Sequence, residues 1–215
     1  MTGTVRNAVA ELVGTFIFAF AVIGAVNSGS DLTPLAIGFT LMIMVFATGH
    51  ISGAHLNPAV SLAALIRGAI NVTTFVSYLV AQLVAAALAA ALSFALWPAP
   101  DAPLEIEVGP AFLVEALWTF VLAYVVLNVA TAKSNVNNSF YGLAIGSTVF
   151  VGAVAVGGIS GGGFNPAISL GLAITGNFDF AAYWLYFIAP LVGGAVAALL
   201  FRALNSDDKL PALEG

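Results

Sequence analysis

Long apolar segments limit most strongly what this chain can fold into. A helix needs about 20 mostly apolar residues to cross the hydrocarbon core of a bilayer, and six segments of the sequence approach or exceed that length. Only 7% of the residues are charged, whereas roughly a quarter are charged in an average soluble domain. The sequence therefore predicts an all-α membrane protein with six transmembrane helices, at about 7–26, 35–50, 73–96, 110–131, 140–157 and 180–203.

The basic residues lie in alternate connections between these segments. Arg6 precedes the first segment, Arg67 and Lys133 follow the second and the fourth, and Arg202 and Lys209 lie at the C-terminal end. Cytoplasmic loops of membrane proteins carry an excess of Lys and Arg. The pattern predicts a multi-pass protein of the cell membrane (inner or plasma membrane) with both termini in the cytoplasm. The first apolar segment is too long for the apolar core of a cleavable signal peptide.

Two of the connections contain the tripeptide Asn-Pro-Ala, within "HLNPAVSL" (55–62) and "GFNPAISL" (163–170). Asn is favoured as a helix N-cap and Pro is favoured at the first helical position. About ten helix-compatible residues follow each Asn, at 58–67 and 166–175, and they would span roughly 15 Å, half of the hydrocarbon thickness. Each motif therefore predicts a re-entrant half-helix.

The two halves of the chain resemble each other. "LAIGFTL" (35–41) and "LAIGSTV" (143–149) lie 108 residues apart, as do the two Asn-Pro-Ala motifs. Residues 1–215 are predicted to form one membrane domain with repeats at about 7–96 and 110–204. Three spans in each repeat place the second repeat upside down, so that the half-helices meet near the midplane. Their positive ends would donate hydrogen bonds and repel cations, including protons. This predicted midplane site consists of Asn57, Pro58, Ala59, Asn165, Pro166 and Ala167.

With these motifs, and with "AELVGTF" (10–16) and "VEALWTF" (114–120), the chain resembles the aquaporins, or major intrinsic proteins. The resemblance implies six helices and two half-helices in an inverted 3+3 repeat. It also implies a homotetramer with one pore in each protomer. The function that it implies is a passive channel for water and small neutral solutes that excludes ions and protons.

The resemblance also places four filter positions near the outer mouth of the pore, at Ile37, Ala153, Gly162 and Ile168. Family water channels usually carry Arg at the last position, directly after the second Asn-Pro-Ala, and often His at the second. The filter of this chain is therefore expected to be apolar and wide. Ammonia, hydrogen peroxide, glycerol and dissolved gases become candidate permeants. Closure of the neck by dewetting is the alternative consequence.

Ionisable side chains also fall within the apolar part of the sequence. Glu11 and Glu115 occupy matching positions in the two repeats and could couple transport to protons. The favoured interpretation is that each accepts hydrogen bonds from backbone N–H groups of the nearby re-entrant segment. His55 is expected either to line the cytoplasmic half of the pore or to pack within its loop.

Two other functions compete with the channel. Inverted repeats and broken helices also occur in secondary transporters, and a poorly conducting member of the family could serve a structural role. The chain has no cysteine and shows no catalytic constellation, so it is not predicted to be an enzyme. No metal, cofactor or nucleic-acid partner is predicted. The expected partners are water, small neutral solutes and membrane lipid.

Overall fold

The computed structural model describes residues 3–209, and residues 1–2 and 210–215 of the predicted 1–215 domain lie outside the described part. Six helices are long and apolar enough to cross a membrane, which confirms the predicted fold class. Within residues 3–209 no β-strand forms. The eight α-helices are α1 (Gly3–Ser28), α2 (Thr33–Ser52), α3 (Pro58–Arg67), α4 (Val72–Ser93), α5 (Val108–Val126), α6 (Tyr141–Ser160), α7 (Pro166–Ile174) and α8 (Tyr183–Leu204).

The two short helices, α3 and α7, begin at the Pro of each Asn-Pro-Ala motif. Asn57 and Asn165 have extended backbones and act as N-caps, and each side-chain oxygen accepts a hydrogen bond from the first turn. Helix α3 ends at Gly68, which has a φ of 83° and closes the helix in the left-handed conformation. Such a conformation favours glycine because it has no Cβ.

The segments that lead into α3 and α7 run through left-handed backbone conformations. Leu56 and Phe164, the residues before the two Asn, have φ values of 50° and 47°. Residues other than glycine rarely adopt positive φ angles. Their neighbours in the two segments share this feature, namely Gly53, Ala54, Gly161 and Gly162.

Glycines allow the helices of the two halves to approach closely. A Cβ on Gly38 of α2 would lie 2.7 Å from the carbonyl oxygen of Gly146 in α6. Likewise, a Cβ on Gly194 of α8 would lie 2.6 Å from the carbonyl oxygen of Ala59 in α3. Small residues are the usual means by which helices pack tightly in a membrane.

The fourth span runs over Val108–Thr131, in agreement with the predicted 110–131. Within it the α-helix ends at Val126 and a π-helical turn follows over Leu127–Thr131. The wider turn leaves carbonyl groups that the side chains of the next connection can reach. Asn135 donates to the carbonyl oxygen of Asn128 at 2.9 Å, and Asn138 donates to that of Val129 at 2.7 Å.

Candidate pore

The starts of the two half-helices meet in the interior of the bundle. The Asn57 amide donates to the carbonyl oxygen of Phe164 at 2.9 Å, and the Asn165 amide donates to that of Leu56 at 2.8 Å. Each Asn therefore caps its own helix and also holds the lead-in segment of the other. One N–H of each amide is not used in these bonds. Both side chains line a narrow cavity, so the remaining N–H groups can donate to a molecule inside it.

This cavity runs outward from Asn57 and His55 toward Ile37 and Val26, and its volume is about 30 Å³. That volume holds one or two water molecules. Apart from the two Asn and His55, the side chains that line the cavity are apolar. The bulkier ones are Phe18, Val22, Leu41, Leu122, Val126, Ile145, Val149, Phe164, Ile168 and Leu172.

Three of the four predicted filter residues, Ile37, Gly162 and Ile168, line this cavity. Ala153 is partly buried in α6 but does not line it, and Val149, one turn earlier, does. The lining is apolar, as the sequence led us to expect. Large side chains from other helices, such as Phe18 and Leu172, line the same cavity. The wide neck expected from the filter positions stays a prediction.

Sequence reasoning did not single out most of the lining residues, although the repeat offset identifies them. Phe18 and Leu122 lie 104 residues apart, and so do Val22 and Val126. The offset of 108 residues relates Ile37 to Ile145, Leu41 to Val149 and Val60 to Ile168. All of these residues line the cavity. Matching positions of the two halves therefore face each other across one axis.

The carboxylate of Glu11 supports the first lead-in segment. Its two oxygens accept hydrogen bonds from the backbone N–H groups of His55 and Leu56 at 2.8 and 2.7 Å. The Ser52 hydroxyl and the Gln82 amide donate to the same carboxylate. Glu11 is fully buried, so these donors replace the water that a carboxylate otherwise needs.

Glu115 supports the second lead-in segment in the same manner. It accepts hydrogen bonds from the backbone N–H groups of Gly163 and Phe164, at 2.9 and 2.6 Å, and from the Ser160 hydroxyl at 2.7 Å. The position that matches Gln82 is Pro190, 108 residues later. Proline has no side-chain donor, so the Glu115 carboxylate lacks the fourth hydrogen bond that Glu11 accepts.

His55 both lines the cavity and packs within its loop. Its Nδ1 lies 3.0 Å from the Ser61 hydroxyl, and its ring contacts the edge of Tyr78 with centroids 5.1 Å apart. The matching residue in the second half is Gly163. The cavity is consequently polar at its His55 end and apolar at its Ile37 end.

A wider vestibule opens beyond His55. Its volume is about 600 Å³, and its walls come from the end of α2, the start of the first lead-in segment and the connection 132–140. Polar side chains line it, among them His50, Asn135, Asn138 and Tyr141. Within residues 3–209 no group of three or more potential metal ligands comes together. The arrangement is a wide vestibule with a mixed polar and apolar lining that leads to a narrow neck.

Comparisons with known proteins agree with this arrangement. The family model described as "Major intrinsic protein" matches residues 1–201. The rice (Oryza sativa subsp. japonica) protein "Aquaporin NIP2-1" is 35% identical, over 94% of this chain and 72% of its own. "Glycerol uptake facilitator protein-like 6" of Lactiplantibacillus plantarum is 37% identical, over 94% of this chain and all of its own.

A solved structure, that of the aquaglyceroporin from Plasmodium falciparum, has the same fold. Its TM-score to this chain is 0.76 at 24% sequence identity, over 92% of this chain and 95% of that chain.

Proposed function

The chain belongs to the major intrinsic protein family, and we propose that the cavity between its two half-helices is the permeation pathway. The protein is a multi-pass membrane channel through which water and small neutral solutes pass passively. Family membership points to a channel rather than an enzyme. The residues that carry out this function are proposed below.

The midplane site consists of the Asn57-Pro58-Ala59 and Asn165-Pro166-Ala167 motifs. The positive ends of α3 and α7 and the free amide N–H groups of both Asn point to one stretch of the pathway. They donate hydrogen bonds to the oxygen of a passing molecule, and their electrostatic potential opposes cations and protons. Because each Asn oxygen accepts a capping hydrogen bond from its own helix, the amide N–H groups are the part of each side chain that is free for the permeant.

The outer neck, at Ile37, Gly162 and Ile168 with Ala153 one turn beyond the lining residue Val149, selects permeants by size and by their need for hydrogen bonds. The observation that carries this proposal is the apolar lining and the volume of about 30 Å³. A molecule as small as water or ammonia fits this neck, whereas glycerol is larger and must give up more hydrogen bonds to pass the apolar lining. A permeant that sheds hydrogen bonds in the neck finds few replacements there, so the neck also slows water.

The two buried carboxylates act as loop supports rather than as coupling sites. A proton-coupled transporter needs an acid that can exchange protons with the pathway. The oxygens of Glu11 and Glu115 are engaged by backbone N–H groups of the lead-in segments. This arrangement favours the channel over the secondary transporter.

The channel assembles as a homotetramer in the cell membrane, with both termini in the cytoplasm. Apolar side chains are exposed along the outer faces of the long helices, for example Val80, Leu117 and Val196, where they contact lipid or neighbouring protomers. Arg67, Arg202 and Lys209 surround one surface pocket at one end of the bundle, as the positive-inside rule requires of the cytoplasmic end.

The test is a comparison of permeabilities in proteoliposomes, by stopped-flow with water, ammonia, hydrogen peroxide and glycerol. The unaltered protein is expected to conduct water and ammonia faster than glycerol. The variant Ile37→Ala/Ile168→Ala opens the neck and is expected to raise the ratio of glycerol to water permeability several-fold.

The matched control is Ile188→Ala, an identical substitution at a side chain that is 45% exposed on α8. It is expected to leave the ratio unchanged. If the double variant assembles normally and its ratio equals that of Ile188→Ala, the neck does not lie at these residues. Glycerol flux as fast as water flux in the unaltered protein would contradict the narrow pathway itself.

A further inference from the structure

We propose that Asp208 is a positioning residue that holds the connection 132–140 clear of the cytoplasmic entrance of the pore. The Asp208 carboxylate accepts hydrogen bonds from two distant parts of the chain. One oxygen lies 2.8 Å from the guanidinium Nη2 of Arg67, at the end of α3. The other accepts the backbone N–H of Lys133 at 2.9 Å. The inference rests on the proposed permeation pathway.

The anchor on the Arg67 side is rigid. The Arg67 side chain is 4% exposed and that of Asp208 is 13% exposed. The guanidinium also lies over the ring of Phe201, 4.9 Å from its centroid. A shielded ion pair is screened less by salt and water than a surface pair. Arg67 therefore fixes the Asp208 carboxylate in the orientation that receives Lys133.

The connection 132–140 depends on this anchor. Its other side-chain hydrogen bonds are short-range, as when Asn135 and Asn138 donate to carbonyl groups of the preceding π-helical turn. Among the hydrogen bonds of residues 3–209, only the one from Lys133 to Asp208 joins this connection to a distant helix end. Loss of that bond leaves the connection hydrogen-bonded to its own flanks alone, while Ala132 at its start still packs in one apolar cluster with Ala63 and Phe201. The part beyond Ala132 is then free to move.

The same connection forms one wall of the vestibule. Ala132, Val136 and Asn138 line it, and Gly49 and His55 line it as well. The vestibule is about 600 Å³ in volume in the anchored position. A released connection has room to move into this space, and it then obstructs the entrance before His55. The anchor therefore keeps the pore accessible from the cytoplasmic side.

Two variants remove the anchor in different ways. Asp208→Ala removes the acceptor, and it also leaves the buried Arg67 without its partner. Lys133→Pro removes the donor and leaves the ion pair intact. Proline suits position 133 because Ala132 has an extended backbone and Lys133 begins a 3₁₀ turn. Water permeability per channel is expected to fall several-fold in both variants.

The controls are Lys133→Ala, which keeps the backbone N–H, and Asp207→Ala, at the neighbouring exposed carboxylate. Both are expected to conduct like the unaltered protein. Asp208→Asn keeps a neutral acceptor and is expected to restore most of the permeability that Asp208→Ala loses. Unchanged permeability in Lys133→Pro, or an equal fall in Lys133→Ala, would overturn the proposal.

Trypsin cleavage after Lys133 measures the anchoring without reference to flux. In Asp208→Ala, cleavage there is expected to be about tenfold faster than in Asp207→Ala, which corresponds to the loss of one charge-assisted hydrogen bond. Equal cleavage rates would refute the anchoring. If the unaltered protein conducts none of the solutes, the proposed function fails, whereas the cleavage result still decides whether Asp208 holds the connection.

Discussion

Glu11 and Glu115 occupy matching positions, but their carboxylates receive different numbers of hydrogen bonds. Glu11 accepts four, from Ser52, His55, Leu56 and Gln82. Glu115 accepts three, and only one of them, from Phe164, reaches its second oxygen. Each lead-in segment thus donates two backbone N–H groups to its carboxylate, and the extra hydrogen bond of Glu11 ties that carboxylate to α4 through Gln82.

Replacing either Glu by Gln is expected to lower the stability of the protein. Whichever way the new amide turns, its NH₂ group faces a buried backbone N–H that had an acceptor before. An unsatisfied buried donor costs about 1–3 kcal/mol. The free energy of unfolding is therefore expected to fall by about that amount in Glu115→Gln, and by more in Glu11→Gln because each Glu11 oxygen receives two donors. Denaturant or thermal unfolding measures both.

The control is Glu107→Gln, at an exposed residue that makes no side-chain capping bond at the start of α5. Its stability is expected to match that of the unaltered protein. Folded Glu115→Gln channels should also conduct water passively. A variant that keeps full stability but loses a proton-dependent flux would show that Glu115 couples transport, contrary to its proposed role.

At the residue scale, the chemical character of the pore lining could be predicted from the sequence more readily than the width of the pore. The matching residues Asn57 and Asn165, and Glu11 and Glu115, could be identified from the sequence. An amide or a carboxylate in an apolar segment needs hydrogen-bond partners, and the repeat shows the same polar residue at the same place in both halves. The apolar character of the neck also followed from Ile37 and Ile168. The wide neck stays a prediction, because its width also depends on lining residues of other helices, such as Phe18 and Leu172, that the filter positions do not include.

At the element scale, α3 is held in place by its contact with α8. Gly194 faces the carbonyl oxygen of Ala59, the third residue of the first Asn-Pro-Ala motif. The contact leaves no room for a Cβ on this face of α8. The position of α3, and with it the direction in which Asn57 points, therefore depends on a glycine far away in sequence.

The substitution Gly194→Ala is expected to destabilise the protein and to reduce water permeability. Its Cβ would lie 2.6 Å from the Ala59 oxygen, so α3 or α8 must shift, and overpacking of this kind typically costs about 1–3 kcal/mol. Thermal unfolding and stopped-flow permeability are the two measurements.

Gly157→Ala serves as the control for Gly194→Ala, because Gly157 is also helical and a Cβ there meets nothing within 4 Å. Alanine is favoured over glycine in a helix by up to about 1 kcal/mol, so this variant should be at least as stable as the unaltered protein. If Gly194→Ala matched it in stability and in flux, the contact between α3 and α8 would not position the pore.

The elements themselves could largely be predicted from the sequence, because the determinants of their boundaries are local. The N-cap Asn and the following Pro fixed the start of both half-helices, and Gly68 ended α3. The π-helical turn at Leu127–Thr131 could not be predicted. It depends on Asn135 and Asn138, whose side chains fold back onto its carbonyl groups, and the segment contains no Pro or Gly that would indicate an interruption.

At the scale of the whole molecule, the charges divide between the two ends of the bundle. The Arg67 guanidinium and the backbone N–H of Lys133 meet at Asp208, and Arg202 donates to the carbonyl oxygen of Ile66. Arg6 belongs to the first turns of α1. The charged residues at the opposite end are all acidic, namely Asp31, Asp101, Glu105, Glu107 and Asp179.

This division predicts the orientation of the protein in the membrane. Because basic residues are retained on the cytoplasmic side, trypsin is expected to cleave the chain in inside-out vesicles and to leave it intact in right-side-out vesicles.

The variant Asp31→Lys provides the matched control, since it introduces one basic residue into the exposed connection between α1 and α2. That variant should be cut near residue 31 in right-side-out vesicles, which proves that the protease reaches the outer connections. Cleavage of the unaltered chain at Lys133 in right-side-out vesicles would show that the orientation is the opposite of the predicted one. The wide vestibule would then open to the exterior.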